Sequence, residues 1–309
     1  DRVDDSLGIR SVVTPWNGYY SWCLLSHPMR NIKYLLEMGR NSTTCEGANL
    51  YAMWDRSADR VHDLFADLVW NYAGAGDLDD AMQRYVARHF APMGEEVTHA
   101  LKLMEQITEV RKVKKDPEKP LEAVVSNYHL LRNSMTYYGK TYYLPNEPYP
   151  RHHPGSALEK LLKFRYANEQ AMRAMDAMSK EAKAIFEKAA QTPGCDRKMA
   201  ELLSYECENY LCMTENWLAL LRIYDITQNG DQKEIASIAR SREAATLAMM
   251  RHCEQVKDIW TQQGALMRNH SVMLTVLTDI ANYIESTDTP SLNLMDITPI
   301  ISEKAKMLQ

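Results

Sequence analysis

Two short runs rich in β-branched and aromatic residues, Ile9 to Trp16 and Ala48 to Asp55, are the only strand-like segments in a chain that otherwise reads as helix. This constrains the fold strongly, because two isolated strands do not make a stable sheet by themselves. They read as the last pieces of a larger α/β domain, so the expected fold is an α/β barrel end of one or two closing β/α units followed by a mainly helical bundle. The expected division is residues 1–75 for the closing units of an incomplete barrel and 76–309 for a C-terminal helical domain. On this reading the chain begins inside a domain, and chemistry carried by earlier strands lies outside it.

The helical part is set by apolar spacing and by its breakers. After Ser57, Val61, Leu64, Phe65, Leu68 and Val69 recur at three and four residues, which predicts a helix ending at Asn71–Gly76. A second helix is expected from Asp77 through Ala81, Tyr85, Val86 and Phe90, and a third from Glu95 to about Lys112 beyond Pro92-Met93-Gly94. The charged stretch Arg111 to Pro120 reads as a solvated connection, with a helix from Leu121 to Tyr138 after it. Residues 139–155 hold four prolines among tyrosines and read as a surface loop. Helices are then expected from Ser156 to Gln191, from Asp196 as cap through Trp217, and, as one or two helices with Gly264 as the point of a bend, from Gln232 to Ile284, as in an antiparallel bundle.

Composition enters mainly as exclusion. With 45% apolar and 25% charged residues the chain is that of a folded protein, and a net charge of −5 speaks against a broad phosphate-binding face. No apolar run approaches the eighteen or so residues that span a membrane. The six cysteines form no CxxC pair, a pattern of free thiols that leans towards a cytoplasmic setting. The chain has no Gly-rich phosphate loop, no GxSxG elbow and no HExxH. No nucleic acid, membrane or cofactor is therefore expected, and the sequence leaves a homo-oligomer open.

Candidate chemistry sits at the carboxyl ends of the two strand-like runs, the ends that face the active site in parallel barrels. Trp16-Asn17 closes the first run, with Tyr19, Tyr20 and Trp22 after it, and Trp54-Asp55 closes the second. An indole packs on the apolar face of a sugar ring and a neighbouring carboxylate accepts two hydroxyl hydrogen bonds, so this pairing suits carbohydrate. The plainer alternative packs both tryptophans under adjoining helices and makes Asp55 a cap. Glu46 falls on the opposite, stabilising face if the strand begins there. Glu96-x-x-His99 is half of a di-metal helix motif, and no second copy exists in the chain. His152-His153 lies in the proline-rich loop, and Trp217, Trp260, Arg268, Asn269 and His270 lie in the bundle, where core packing is the ordinary role of such residues.

Taken together, Gly8-Ile9-x-x-Val12-Val13-Thr14-x-Trp16, His27-Pro28, Glu46-Gly47-x-x-x-Tyr51, Trp54-Asp55 and Ala66-x-x-x-Trp70-Asn71 resemble the end of the catalytic barrel in glycoside hydrolases similar to family 20 β-N-acetylhexosaminidases. Trp260 and Arg268-Asn269 are similar to a feature of the helical region that follows such barrels. The resemblance covers residues 8–72 and, loosely, the bundle. It implies retaining, substrate-assisted hydrolysis, in which an Asp orients the acetamido group of the substrate and the adjacent Glu protonates the leaving oxygen. No Asp-Glu pair occurs in this chain, so the resemblance implies no catalytic residue here and no turnover by the chain alone. What carries over is substrate binding of a terminal N-acetylhexosaminide: Trp54 and Trp16 as pocket walls, Asp55 as hydroxyl acceptor, with Asn17 and Tyr19 beside them. The competing expectation is a non-catalytic helical scaffold or interaction protein whose two short strands decorate the bundle.

Overall fold

The computed structural model describes residues 7–15, 29–50, 59–107, 110–116, 119–126, 165–229, 231–256 and 263–286. These residues are mostly helical, and no barrel is formed among them. In chain order the elements are β1 Ser11–Val13, α1 Met29–Arg40, β2 Cys45–Ala48, α2 Asp59–Trp70, α3 Leu78–His89, a 3₁₀ turn Ala91–Met93, and α4 Gly94–Ile107. They continue as β3 Val110–Asp116, β4 Lys119–Ser126, α5 Arg165–Gln191, α6 Arg197–Asn229, α7 Gln232–Gln255 and α8 Gln263–Ser286. The chain divides into two compact units. Unit 1 comprises residues 1–108, 178–207 and 259–261, and unit 2 comprises 109–177, 208–258 and 262–309.

In unit 1, β1 and β2 pair in parallel, with Ser11 opposite Cys45, Val12 opposite Gly47 and Val13 opposite Ala48. A parallel pair cannot be joined by a tight turn, and here the crossover carries α1. Met29, Ile32 and Leu36 form the buried stripe of α1 at three- and four-residue spacing. The helix comes close to β1 at Gly39, where an added Cβ would meet both methyl groups of Val13 at 2.9 Å. A side chain at Gly39 would therefore push α1 off the strand.

The helices that follow begin where the caps dictate. Asp77 accepts from the Asp80 amide while Asp80 accepts from the Asp77 amide, both at 2.9 Å, a reciprocal capping box that starts α3. Gly76, at φ 76°, makes the turn before it in the left-handed region that glycine tolerates. Asp196 caps α6 by accepting from the Met199 amide at 3.1 Å, after a turn in which Gly194 has φ 89°. The core of unit 1 forms around Val61, Leu64, Tyr85, Phe90, Val97, Leu101 and Phe186, all buried.

In unit 2, α7 and α8 pack along each other, and Trp217 and Leu221 of α6 join Ile235, Leu277 and Ile280 in one apolar cluster. Trp217 is thus a core residue. Asp231 caps α7, accepting from the Lys233 amide at 2.9 Å.

Two sequence expectations are corrected. The second described strand is Cys45–Ala48, earlier than the expected run Ala48–Asp55, and Asn49 and Leu50 lie beyond it; Tyr51 to Asp55 lie outside the described residues. Gly47 in its middle lowers the strand signal and draws the reading onto the more apolar residues that follow. Residues 110–126 are an antiparallel hairpin, Val110 opposite Ser126 and Val113 opposite Ala123, where a solvated connection and the start of a helix were expected. Val110, Val113, Val124 and Val125 favour the extended backbone, and the lysines between them mask the pattern. Of the one or two helices expected over 232–284 there are two, α7 ending at Gln255 and α8 beginning at Gln263.

Candidate functional site

The parallel register puts the carboxyl ends of β1 and β2 side by side. The ladder closes there with the Asn49 amide donating to the Val13 carbonyl at 2.9 Å. Pro15 is buried, and residues 7–10 and 12 are exposed. Glu46 stands near the amino end of β2, exposed, in an ion pair with Arg10. The candidate sugar-contacting residues Trp16, Asn17, Tyr19, Trp54 and Asp55 lie outside the described residues, as do Tyr20, Trp22, His152, His153 and Trp260. What the structure describes is the frame from which they extend: two strand ends at one edge of one sheet.

Met29 is the first residue of α1. The Met29 amide donates to Glu105 Oε1 at 2.8 Å, and the Arg30 amide to Glu105 Oε2 at 3.4 Å. Glu105 projects from α4 and is only 8% exposed. Burial pushes its carboxyl above the usual carboxylate range, against the opposing pull of the Met29 amide and the positive charge of Arg60. Arg60 is buried as well and pairs with Glu206 at 3.5 Å. Sequence reasoning overlooked these three charges. Their signal is a charged residue on a helical face that periodicity assigns to the core: Glu105 four residues after Leu101, Arg60 four before Leu64, Glu206 four after Leu202.

Glu96 and His99 lead away from metal binding. Glu96 pairs with Lys188 at 2.6 Å and His99 with Glu181 at 2.7 Å, all at the surface. Among the described residues no group of three His, Cys, Asp or Glu side chains is placed to hold a metal ion, and no helix is long and apolar enough to cross a membrane. Cys45, Cys195, Cys207, Cys212 and Cys253 are free thiols.

Unit 2 contains a different polar assembly. His270 of α8 shares a 2.9 Å hydrogen bond with Asn209 Oδ1, and its Nδ1 lies 3.9 Å from Cys212 Sγ. Since the amide oxygen can only accept, Nε2 carries the proton and Nδ1 is left to accept from the thiol. Asn216 Nδ2 donates to Thr246 Oγ1 at 3.0 Å, and Arg242 Nε donates to Asn216 Oδ1 at 2.8 Å. A Cys–His pair is reactive as thiolate and imidazolium. Here burial drives both groups the other way, Cys212 up to about 11 and His270 down to about 4. Both are enclosed and favoured in their neutral forms, and the pair joins α6 to α8.

Compared with known proteins, the chain matches no family model, no curated protein and no solved structure. Function therefore has to be argued from the frame and from the residues it presents.

Proposed function

We propose that this chain is the C-terminal part of a β/α-barrel glycoside hydrolase acting on terminal N-acetylhexosaminides, and that it contributes walls of the sugar pocket and not the catalytic carboxylates. The observation that carries this reading is the parallel pairing of β1 with β2 across a helical crossover. That is the connection of a β/α barrel, where substrate meets the carboxyl ends of the strands. Trp16 lies three residues beyond Val13 and Trp54 six beyond Ala48, so at full extension they stay within about 11 Å and about 22 Å of adjacent strand ends. A single hexosamine is small enough to touch segments so tethered. Indole faces from Trp16 and Trp54 pack on the ring, Asp55 accepts from its hydroxyls, and Asn17 and Tyr19 supply further hydrogen bonds.

Titration of the chain with N-acetylglucosamine, followed by tryptophan emission, tests the reading. A saturable change that Trp54→Phe abolishes and Trp70→Phe leaves intact is expected, since Trp70, 91% exposed at the end of α2, is not among the residues assigned to the pocket. Hydrolysis of an aryl N-acetylglucosaminide by the isolated chain would contradict the assignment of catalysis to residues outside it. The helical-scaffold alternative draws on the predominance of helix among the described residues. It requires cooperative folding with no response to the sugar at any concentration.

A further inference from the structure

We propose that Thr14 and Asn49 are substrate-contacting residues, the pair of side chains at the carboxyl edge of the β1–β2 sheet that hydrogen-bonds the ring hydroxyls of the sugar. The inference rests on the hydrolase reading for the identity of the ligand, and on the described sheet for the choice of residues.

The helix α1 distinguishes the two faces of the sheet. Its Gly39 approaches the face that carries Val13 and Cys45: a Cβ added there would meet the Val13 methyl groups at 2.9 Å and Cys45 Sγ at 3.2 Å. Successive side chains of a strand point to opposite faces, so Val12 and Thr14 lie on the face turned away from α1. Their accessibility agrees, since Val12 is 57% exposed and Thr14 is exposed, whereas Val13 is half-buried. On β2 the register sets Gly47 opposite Val12 and Ala48 opposite Val13. Gly47 and Asn49 therefore share the face of Val12 and Thr14, and both are exposed. Thr14 and Asn49 each stand one residue past the last pair of the ladder, on strands about 4.8 Å apart. The Asn49 amide on the Val13 carbonyl, at 2.9 Å, holds the two strand ends together.

In a β/α barrel the helices form the outer ring and substrate sits at the carboxyl ends of the strands. The face turned away from α1 is then the interior, and Thr14 and Asn49 point into the mouth of the pocket while Val13 and Ala48 point towards the helix. Their chemistry fits that place. A sugar hydroxyl both donates and accepts, and so do a threonine hydroxyl and an asparagine amide. Among the described residues neither side chain has a hydrogen-bond partner. Beside the pair, Val12 offers methyl groups, and a Cβ added at Gly47 would meet nothing within 4 Å. The surface next to the two polar groups is thus open, with an apolar patch for the C–H edge of a ring.

The test is an amide-detected NMR titration of the isotope-labelled chain with N-acetylglucosamine, repeated on Thr14→Val and Asn49→Leu. Both positions are exposed, so each variant should keep the wild-type midpoint in urea. Shifts at Val12, Thr14 and Asn49 are expected in the wild type, with affinity about fivefold weaker in each variant, as for one lost hydrogen bond. Unchanged affinity in either variant, while Trp54→Phe still abolishes binding, overturns the proposal and leaves the hydrolase reading standing. Weaker binding that comes with a lowered urea midpoint marks a structural role and overturns it too. No shift anywhere in the wild type at saturating sugar overturns both.

Discussion

Unit 1 buries three full charges, Arg60, Glu206 and Glu105, whereas unit 2, beside the buried Asp279, encloses an assembly of neutral donors and acceptors around His270, Cys212, Asn209, Asn216 and Thr246. The charges of unit 1 act on backbone and on one another: Glu105 takes two amides of α1, and Arg60 stands between helices that carry acidic partners. The neutral groups of unit 2 act between side chains of α6, α7 and α8 and fix how those helices register. The comparison teaches that buried polarity serves two ends in one chain. In unit 1 it fixes the amino end of α1, and in unit 2 it aligns a bundle. The two kinds of burial also respond differently to damage, because an orphaned charge is far more costly than an orphaned amide or hydroxyl.

The largest effect should come from Arg60→Met. It leaves Glu206 and Glu105 buried without their cation, and a loss of about 3–5 kcal/mol in urea unfolding is expected. A loss under about 1 kcal/mol would erase the distinction between the two units.

Acid separates the units next. His270 has a folded pKa of about 4 against an ordinary value of about 6.5, so on acidification the unfolded chain takes up the proton first. Its stabilisation is complete above about pH 6.5 and is lost as pH falls towards 4, amounting to roughly 3 kcal/mol. Glu208, which bonds His252 at 2.6 Å, is the carboxylate that pulls the His270 value the other way. Glu105 has the reverse sign: burial raises its folded pKa, so its contribution grows as pH falls towards the usual carboxylate range. Unfolding free energy measured between pH 7 and pH 4.5 should fall less steeply in His270→Asn than in the wild type. Parallel slopes would mean that His270 is not held neutral by burial.

A smaller effect sharpens the contrast at the surface. Asp77→Ala removes the exposed capping box of α3 and should lower stability by about 1 kcal/mol in the same unfolding measurement, well below the cost of disturbing the buried carboxylates.

Much of the helical frame was legible in the sequence because its signals are local. Asp77 and Asp196 announce α3 and α6 as caps, Gly76 and Gly194 as turns, and the spacing of Val61, Leu64 and Leu68 gives the inner face of α2. The hairpin at 110–126 was hidden because Arg111, Lys112 and Lys114 read as solvated chain, although the valines beside them favour strand. The clamp at Glu105 was hidden for a physical reason: its partners lie about seventy-five positions away, and the periodicity that puts Glu105 on a core face does not say what it meets there. Of the candidate site, the sequence placed the end of the first strand three residues beyond Val13 and the end of the second seven beyond Ala48, and pairing of Val13 with Ala48 adds that the two ends adjoin.

The most direct test is a crystal structure of the chain with N-acetylglucosamine. Sugar seated at the carboxyl edge of β1 and β2, with Trp16 and Trp54 on its ring and Asp55 on its hydroxyls, is the expected result. Sugar bound elsewhere, or absent at saturating concentration with that edge open, would contradict the assignment of a hexosamine pocket to this sheet.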